Sequence, residues 1–136
     1  MDLLLVNLNS NSFVKKNCSQ ASRSSQRSAV AKCAKDAKTT PETFKDLLTT
    51  RKVPDTQLEK CFLGCLYKKI GLTRNGTLNY TRAKSIARNQ YSNNKEKLQK
   101  ALGILDKCKT IDALNDECLL GFKLRECVLV NSDDSF

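Results

Sequence analysis

Cysteine is the residue type that most limits what this chain can fold into. Seven of its 136 residues are Cys: Cys18, Cys33, Cys61, Cys65, Cys108, Cys118 and Cys127. Reducing compartments rarely carry such a load in so short a chain. The number predicts an oxidising environment, three disulfides and one thiol left over. Metal ligation is the weaker reading, because zinc would need an all-Cys site and the close pair Cys61 and Cys65 lacks the two-residue knuckle spacing. Neither a metal nor a cofactor is expected.

Histidine is absent. That removes Ser-His-Asp and Cys-His catalysis, His-based zinc hydrolysis, haem ligation by imidazole and the commonest pH sensor near neutrality. Carboxylates such as Asp106 and Asp112 read as surface or helix-end charges, so no enzyme is expected. No stretch of about 18 apolar residues exists to insert into a membrane. A chain of this length forms one compact domain with a core of its own.

An oxidised protein should be secreted, yet no good signal peptide is recognisable. Met1-Asp2-Leu3-Leu4-Leu5-Val6-Asn7-Leu8 is apolar but too short, and Asp2 stands where a positive charge belongs. Ala29-Val30-Ala31 imitates a cleavage site but follows a polar stretch, Ser22 to Ser28. Residues 1–22, rich in Ser, Asn and Lys, read as a flexible basic arm, with the helical domain over 23–136.

The domain is punctuated like a helical protein. Ala29, Val30, Cys33 and Ala37 recur at helical spacing and predict a helix over roughly 24–37. Thr40-Pro41-Glu42 opens a short helix carrying Phe44, Leu47 and Leu48 on one side. Val53-Pro54 ends it, and Asp55 is positioned to cap the next, which stops near Gly71. Leu58, Cys61, Phe62, Cys65 and Leu66 form its apolar stripe. Asn75-Gly76 is a turn signal. Asn79 then caps a helix near 80–91, and a further helix covers 95–108. The last runs from about 114 to 130, with Asp116 and Glu117 at its positive end. No strand is expected. The fold class is all-α: six short helices stapled by disulfides.

From Cys33 the spacing is C-x27-C-x3-C-x42-C-x9-C-x8-C. Cys61 and Cys65 share one helix face and do not readily bond each other, so each should reach a different segment. Cys118 and Cys127 point to nearly opposite sides of the last helix, which should therefore be tied to two neighbours. A cage held this way need not be filled at its centre.

This pattern resembles the insect odorant-binding protein family, including its pheromone-binding branch. The three-residue and eight-residue gaps match, and Lys69 to Asn79 is similar to the family's loop after the third Cys. The resemblance covers about 33–130. It implies the pairs Cys33–Cys65, Cys61–Cys118 and Cys108–Cys127, and six helices around an apolar cavity. It also implies a secreted carrier that encloses a small apolar volatile or lipid-like ligand, such as an odorant or pheromone, and carries it through sensillum lymph or another body fluid to an olfactory receptor. A monomer or weak dimer is expected. By resemblance the pocket residues are Leu63, Tyr67, Leu102, Leu105, Leu124 and Val128. Periodicity adds Phe62, Leu66, Ile86, Leu98 and Phe122. The Tyr67 hydroxyl is suited to an alcohol, aldehyde or ester oxygen.

The chain departs from the family in its net charge of +10, in lacking Trp, and in a longer arm that holds Cys18. Cys18 reads as the free thiol. The basicity raises an alternative, an extracellular helical interaction or defence protein that binds anionic surfaces. Nucleic acid is not an expected partner, since no stacking aromatics interleave with the cations. Asn17-Cys18-Ser19, Asn75-Gly76-Thr77 and Asn79-Tyr80-Thr81 match the glycosylation triplet. Only nine residues follow Cys127. Val128-Leu129-Val130 are placed to turn over the cavity mouth, with Phe136 as a terminal plug.

Overall fold

The structure, a computed structural model, describes residues 18–132. Six α-helices follow one another: α1 (Cys18–Asp36), α2 (Lys45–Thr49), α3 (Gln57–Lys69), α4 (Tyr80–Gln90), α5 (Lys95–Cys108) and α6 (Glu117–Asn131). A 3-10 turn, Pro41–Phe44, leads into α2. Helix α1 begins at Cys18, so Cys18 to Ser22, read from sequence as part of the arm, lie in the first helix. Residues 1–17 and 133–136, with the Phe136 plug, lie outside the described residues.

Sequence explains most of the boundaries. Thr56, rather than Asp55, caps α3: its side chain accepts from the Glu59 N–H at 3.1 Å. The Glu59 carboxylate reaches back to the Thr56 N–H, which completes a capping box. Asn79 and Asp116 cap α4 and α6, accepting from the N–H groups of Arg82 and Leu119. Thr40 makes no side-chain cap, but Pro41 stands at the first turn as expected. Helix α6 starts at Glu117 and not near 114, because Leu114 and Asn115 take left-handed φ angles of 52° and 68° that helical backbone excludes.

Between α3 and α4 lies a small hairpin that the sequence reading did not anticipate. Strands β1 (Thr73–Arg74) and β2 (Thr77–Leu78) pair antiparallel, Thr73 with Leu78 and Arg74 with Thr77. Asn75 and Gly76 both have positive φ, 57° and 81°, as the tight two-residue hairpin turn demands. Strands of two residues are too short to show a period of two.

Three disulfides join the helices in the pairing the resemblance implies. Cys33–Cys65 ties α1 to α3, Cys61–Cys118 ties α3 to α6, and Cys108–Cys127 ties α5 to α6. Helices α3 and α6 make the most extensive contact in the molecule. At their crossing two glycines meet. A Cβ at Gly121 would stand 2.6 Å from the Gly64 nitrogen, and one at Gly64 would stand 2.7 Å from the Glu117 carbonyl carbon. The backbones close to a Cα separation of 4.0 Å at Cys61–Cys118. Phe44 stacks on Phe62 of α3, ring centroids 3.8 Å apart, which seats the 3-10 turn on the same centre.

Gly64→Ala or Gly121→Ala should each destabilise the protein by about 1–3 kcal/mol, because rigid backbone rather than a movable side chain meets the new methyl. Gly103 in α5 is exposed with nothing within 4 Å of a Cβ. Gly103→Ala should therefore stabilise by about 0.5–1 kcal/mol by removing helix-interior glycine. Denaturant unfolding of the three variants checks both signs.

Candidate functional site

The apolar interior is built by α3, α5 and α6 and closed by the inward faces of α1, α2 and α4. On α3, Phe62, Leu63, Leu66 and Tyr67 are all at most 1% exposed. On α5, Leu105 is buried, while Leu98 and Leu102 are half-buried and pack against the same cluster. Leu124 and Val128 of α6 are buried, and Ile86 of α4 is half-buried and packs against the same cluster. Ten of the eleven residues proposed from sequence thus meet in or against one apolar cluster. Phe122 does not join it. That ring is half-buried, with the Lys60 ammonium 4.5 Å above it, on the far side of α6 from Leu124 and Val128. Its separation from Leu124 by about 200° of helix turn explains the difference.

The apolar lining is continuous because each helix contributes residues at spacings of three and four. Leu120, Leu124 and Val128 make the α6 stripe; Ala101, Ile104, Leu105 and Cys108 make that of α5. Val128 and Leu129 remain within α6 and point inward, and Val130 is 77% exposed. Val128 and Leu129 therefore prolong the wall, Val130 faces outward, and the segment stays helical and does not turn over a mouth.

One charged side chain that the sequence does not single out is buried among these apolar residues. Arg125 of α6 is completely buried. Its Nε donates to the Lys52 carbonyl at 3.1 Å, and its Nη2 donates to the carbonyls of Leu47 and of Thr50, the latter at 2.9 Å. The guanidinium thus covers the C-terminal end of α2, where carbonyls lack helical partners. Arg51 returns the arrangement, donating to the Leu129 carbonyl at 3.1 Å and to Ser132 at the end of α6. A signal existed: Arg125 falls four residues after Gly121 and four before Leu129, on the inward stripe of a helix apolar nearly all round. Its charge argues for the surface, and only the neighbouring strap of carbonyls makes burial tolerable.

Asp106 and Asp112, the carboxylates noted in the sequence, sit at the surface. Tyr80 and the pair Asp106–Lys109, 2.8 Å apart, lie on the outside of α4 and α5. Asp112 accepts from the Leu114 N–H in the loop before α6. No cluster of metal-ligating side chains occurs among the described residues. No helix among them is long and apolar enough to cross a membrane.

The model of the PBP/GOBP family matches residues 15–131, most of the chain. The chain belongs to the PBP/GOBP family. Its fold is similar to that of odorant-binding protein dmelOBP28a from Drosophila melanogaster: TM-score 0.67, 24% identity, over 82% of this chain and 93% of the other. It is also similar to the fatty acid binding protein OBP56a from the oral disk of the blowfly Phormia regina: TM-score 0.59, 25% identity, over 88% of this chain and 96% of the other. A search of curated protein sequences returns no match. Membership of this family makes the chain a small-ligand-binding protein, and its relatives are binding proteins rather than enzymes.

The wall helix α3 depends on its cap, and the cap is pH-sensitive. Burial pushes the Glu59 carboxyl up, but the Lys52 ammonium at 2.7 Å and the N–H groups of Asp55 and Thr56 more than offset it and hold it at about 2. A carboxyl held below its unfolded value favours the fold above about pH 4.5, and that contribution disappears as pH falls toward 2. Thermal unfolding between pH 5 and pH 2 should show this loss, and Glu59→Gln should flatten that part of the profile.

Proposed function

We propose that this protein is a secreted carrier that reversibly encloses a small apolar ligand, an odorant, pheromone or similar semiochemical, and moves it through aqueous fluid to receptors. The observation that carries the reading is the family match, which takes in all six bridged cysteines on a chain whose inner surface is apolar. The disulfides support an extracellular location. Leu63, Leu66, Tyr67, Leu105, Leu124 and Val128 form the contact surface, with Phe62, Leu98, Leu102 and Ile86 behind or beside them. Apolar burial drives uptake, and the few polar groups at the wall orient the ligand. The family match favours this reading over a defence protein acting on anionic surfaces.

Displacement of a fluorescent apolar probe tests the proposal. Wild-type protein should bind the probe at one saturable site. Leu105→Trp and Val128→Trp, which add volume to the wall without adding charge, should weaken binding by about tenfold or more, the scale of the wall contacts they displace. Leu114→Ala, at a site 85% exposed, should leave it unchanged. Absence of saturable binding by wild-type protein would overturn the carrier reading.

Release should not follow mild acid. The chain has no His, and the depressed carboxyl at Glu59 titrates well below the physiological range. Affinity for an uncharged probe should therefore stay nearly flat from pH 7.5 to 5.5, measured by the same displacement. A steep drop in that window would require a buried carboxylate with a raised pKa.

A further inference from the structure

Among the described residues, Arg125 is the one charged side chain that is fully buried. Three of its N–H groups are satisfied by backbone carbonyls of Leu47, Thr50 and Lys52, and among the described residues no carboxylate pairs with it. Its Nη1 is buried and has no hydrogen-bond partner. The guanidinium is planar and its N–H directions are fixed, so the shape of this deficit can be stated. Nε and Nη2 lie along one edge, and that edge faces the strap of residues 47–52. Nη1 lies on the other side of the fork and presents its N–H groups away from those bonds. A buried donor left unmade costs on the order of a hydrogen bond, and a buried cation without a counter-ion costs more.

We propose that Arg125 is the anchor for an anionic head group, and that the natural ligand is a long-chain carboxylate rather than a neutral odorant. The carboxylate accepts from Nη1 while the alkyl chain lies along Leu124, Val128 and the α3 wall. A single group then supplies both the missing acceptor and the missing counter-charge, in a charge-assisted bond. The buried apolar residues next to Arg125 on α6, Leu124, Val128 and Leu129, suit the chain of such a ligand and would not suit a hydrated inorganic anion. The net charge of +10 agrees with this choice, since it draws anions toward the protein before they enter. This inference rests on the carrier reading, and names the ligand class for the same interior.

The test uses the full wild-type chain and three competitors of equal chain length: palmitic acid, methyl palmitate and hexadecanol, each displacing the fluorescent apolar probe at pH 7.5. The acid should compete about 10- to 100-fold better than the ester or the alcohol, the worth of one hydrogen bond to a charged group. In protein labelled with nitrogen-15 at arginine, the Arg125 side-chain resonances should shift with palmitate and stay in place with the ester. Because Arg125 also covers the end of α2, this measurement on unaltered protein carries the test. In folded Arg125→Gln protein the advantage of the acid over the ester should vanish. If the probe binds but acid and ester compete equally, the anchor is overturned and the carrier reading stands. A preference for the acid with unmoved Arg125 resonances would overturn it too, placing the preference in the surface charge. Failure of the probe to bind at all would remove the carrier reading, and the anchor with it.

Discussion

Gly64 and Gly121 let two helices touch backbone to backbone, and the rest of the molecule is arranged around that contact. With no side chain at either position, α3 and α6 cross closely enough for Cys61 and Cys118 to be joined at a Cα separation of 4.0 Å. The remaining two disulfides work outward from the same pair, Cys65 holding α1 and Cys127 holding α5. Every bridge therefore includes α3 or α6. Such a frame constrains the unfolded chain and places the helices without needing side chains to fill the centre. A carrier depends on that separation between what holds the fold and what lines the interior.

The far end of α6 is held differently. Arg125 and Arg51 each cover carbonyls at the end of the other's element, so α2 and α6 are fastened reciprocally by cations and backbone dipoles. Two exposed ion pairs could not do this work, because water screens them and their net worth is small. Backbone acceptors have no charge to desolvate and no side-chain freedom to lose, which makes them suitable partners for a guanidinium that must be buried. The same arrangement leaves one edge of Arg125 unspent.

Much of this was legible in the sequence. The gaps between Cys61, Cys65, Cys118 and Cys127 showed that two helices must each be tied to two neighbours, and the resemblance supplied which Cys joins which. Helical spacing picked out Phe62, Leu66, Ile86 and Leu98, which all lie in or against the apolar cluster, because period and burial are tied together in a helix. The cap at Asn79 was readable from local chemistry alone, whereas Asp116, read only as an acidic residue near the positive end of the last helix, turned out to be its cap. The same local reading placed the α3 cap one residue early, since Asp55 and Thr56 are both good caps and only the Glu59 side chain, reaching back from the third helical position, selects Thr56.

Periodicity, composition and cysteine spacing by themselves determined an all-helical, oxidised, single-domain chain with an apolar interior and no His-based chemistry. Those properties follow from residue type and short-range spacing, which the chain carries wherever it is. Tertiary structure alone decided the rest. Phe122 turns away from the wall because the rotation of α6 is set by Gly121 against Gly64, not by the apolarity of residue 122. Arg125 is buried because residues 47–52, more than seventy positions away, bring their carbonyls to it. Contacts between distant segments leave no period and no motif behind, so a cation on an inward stripe reads as surface until the segment that receives it is in place.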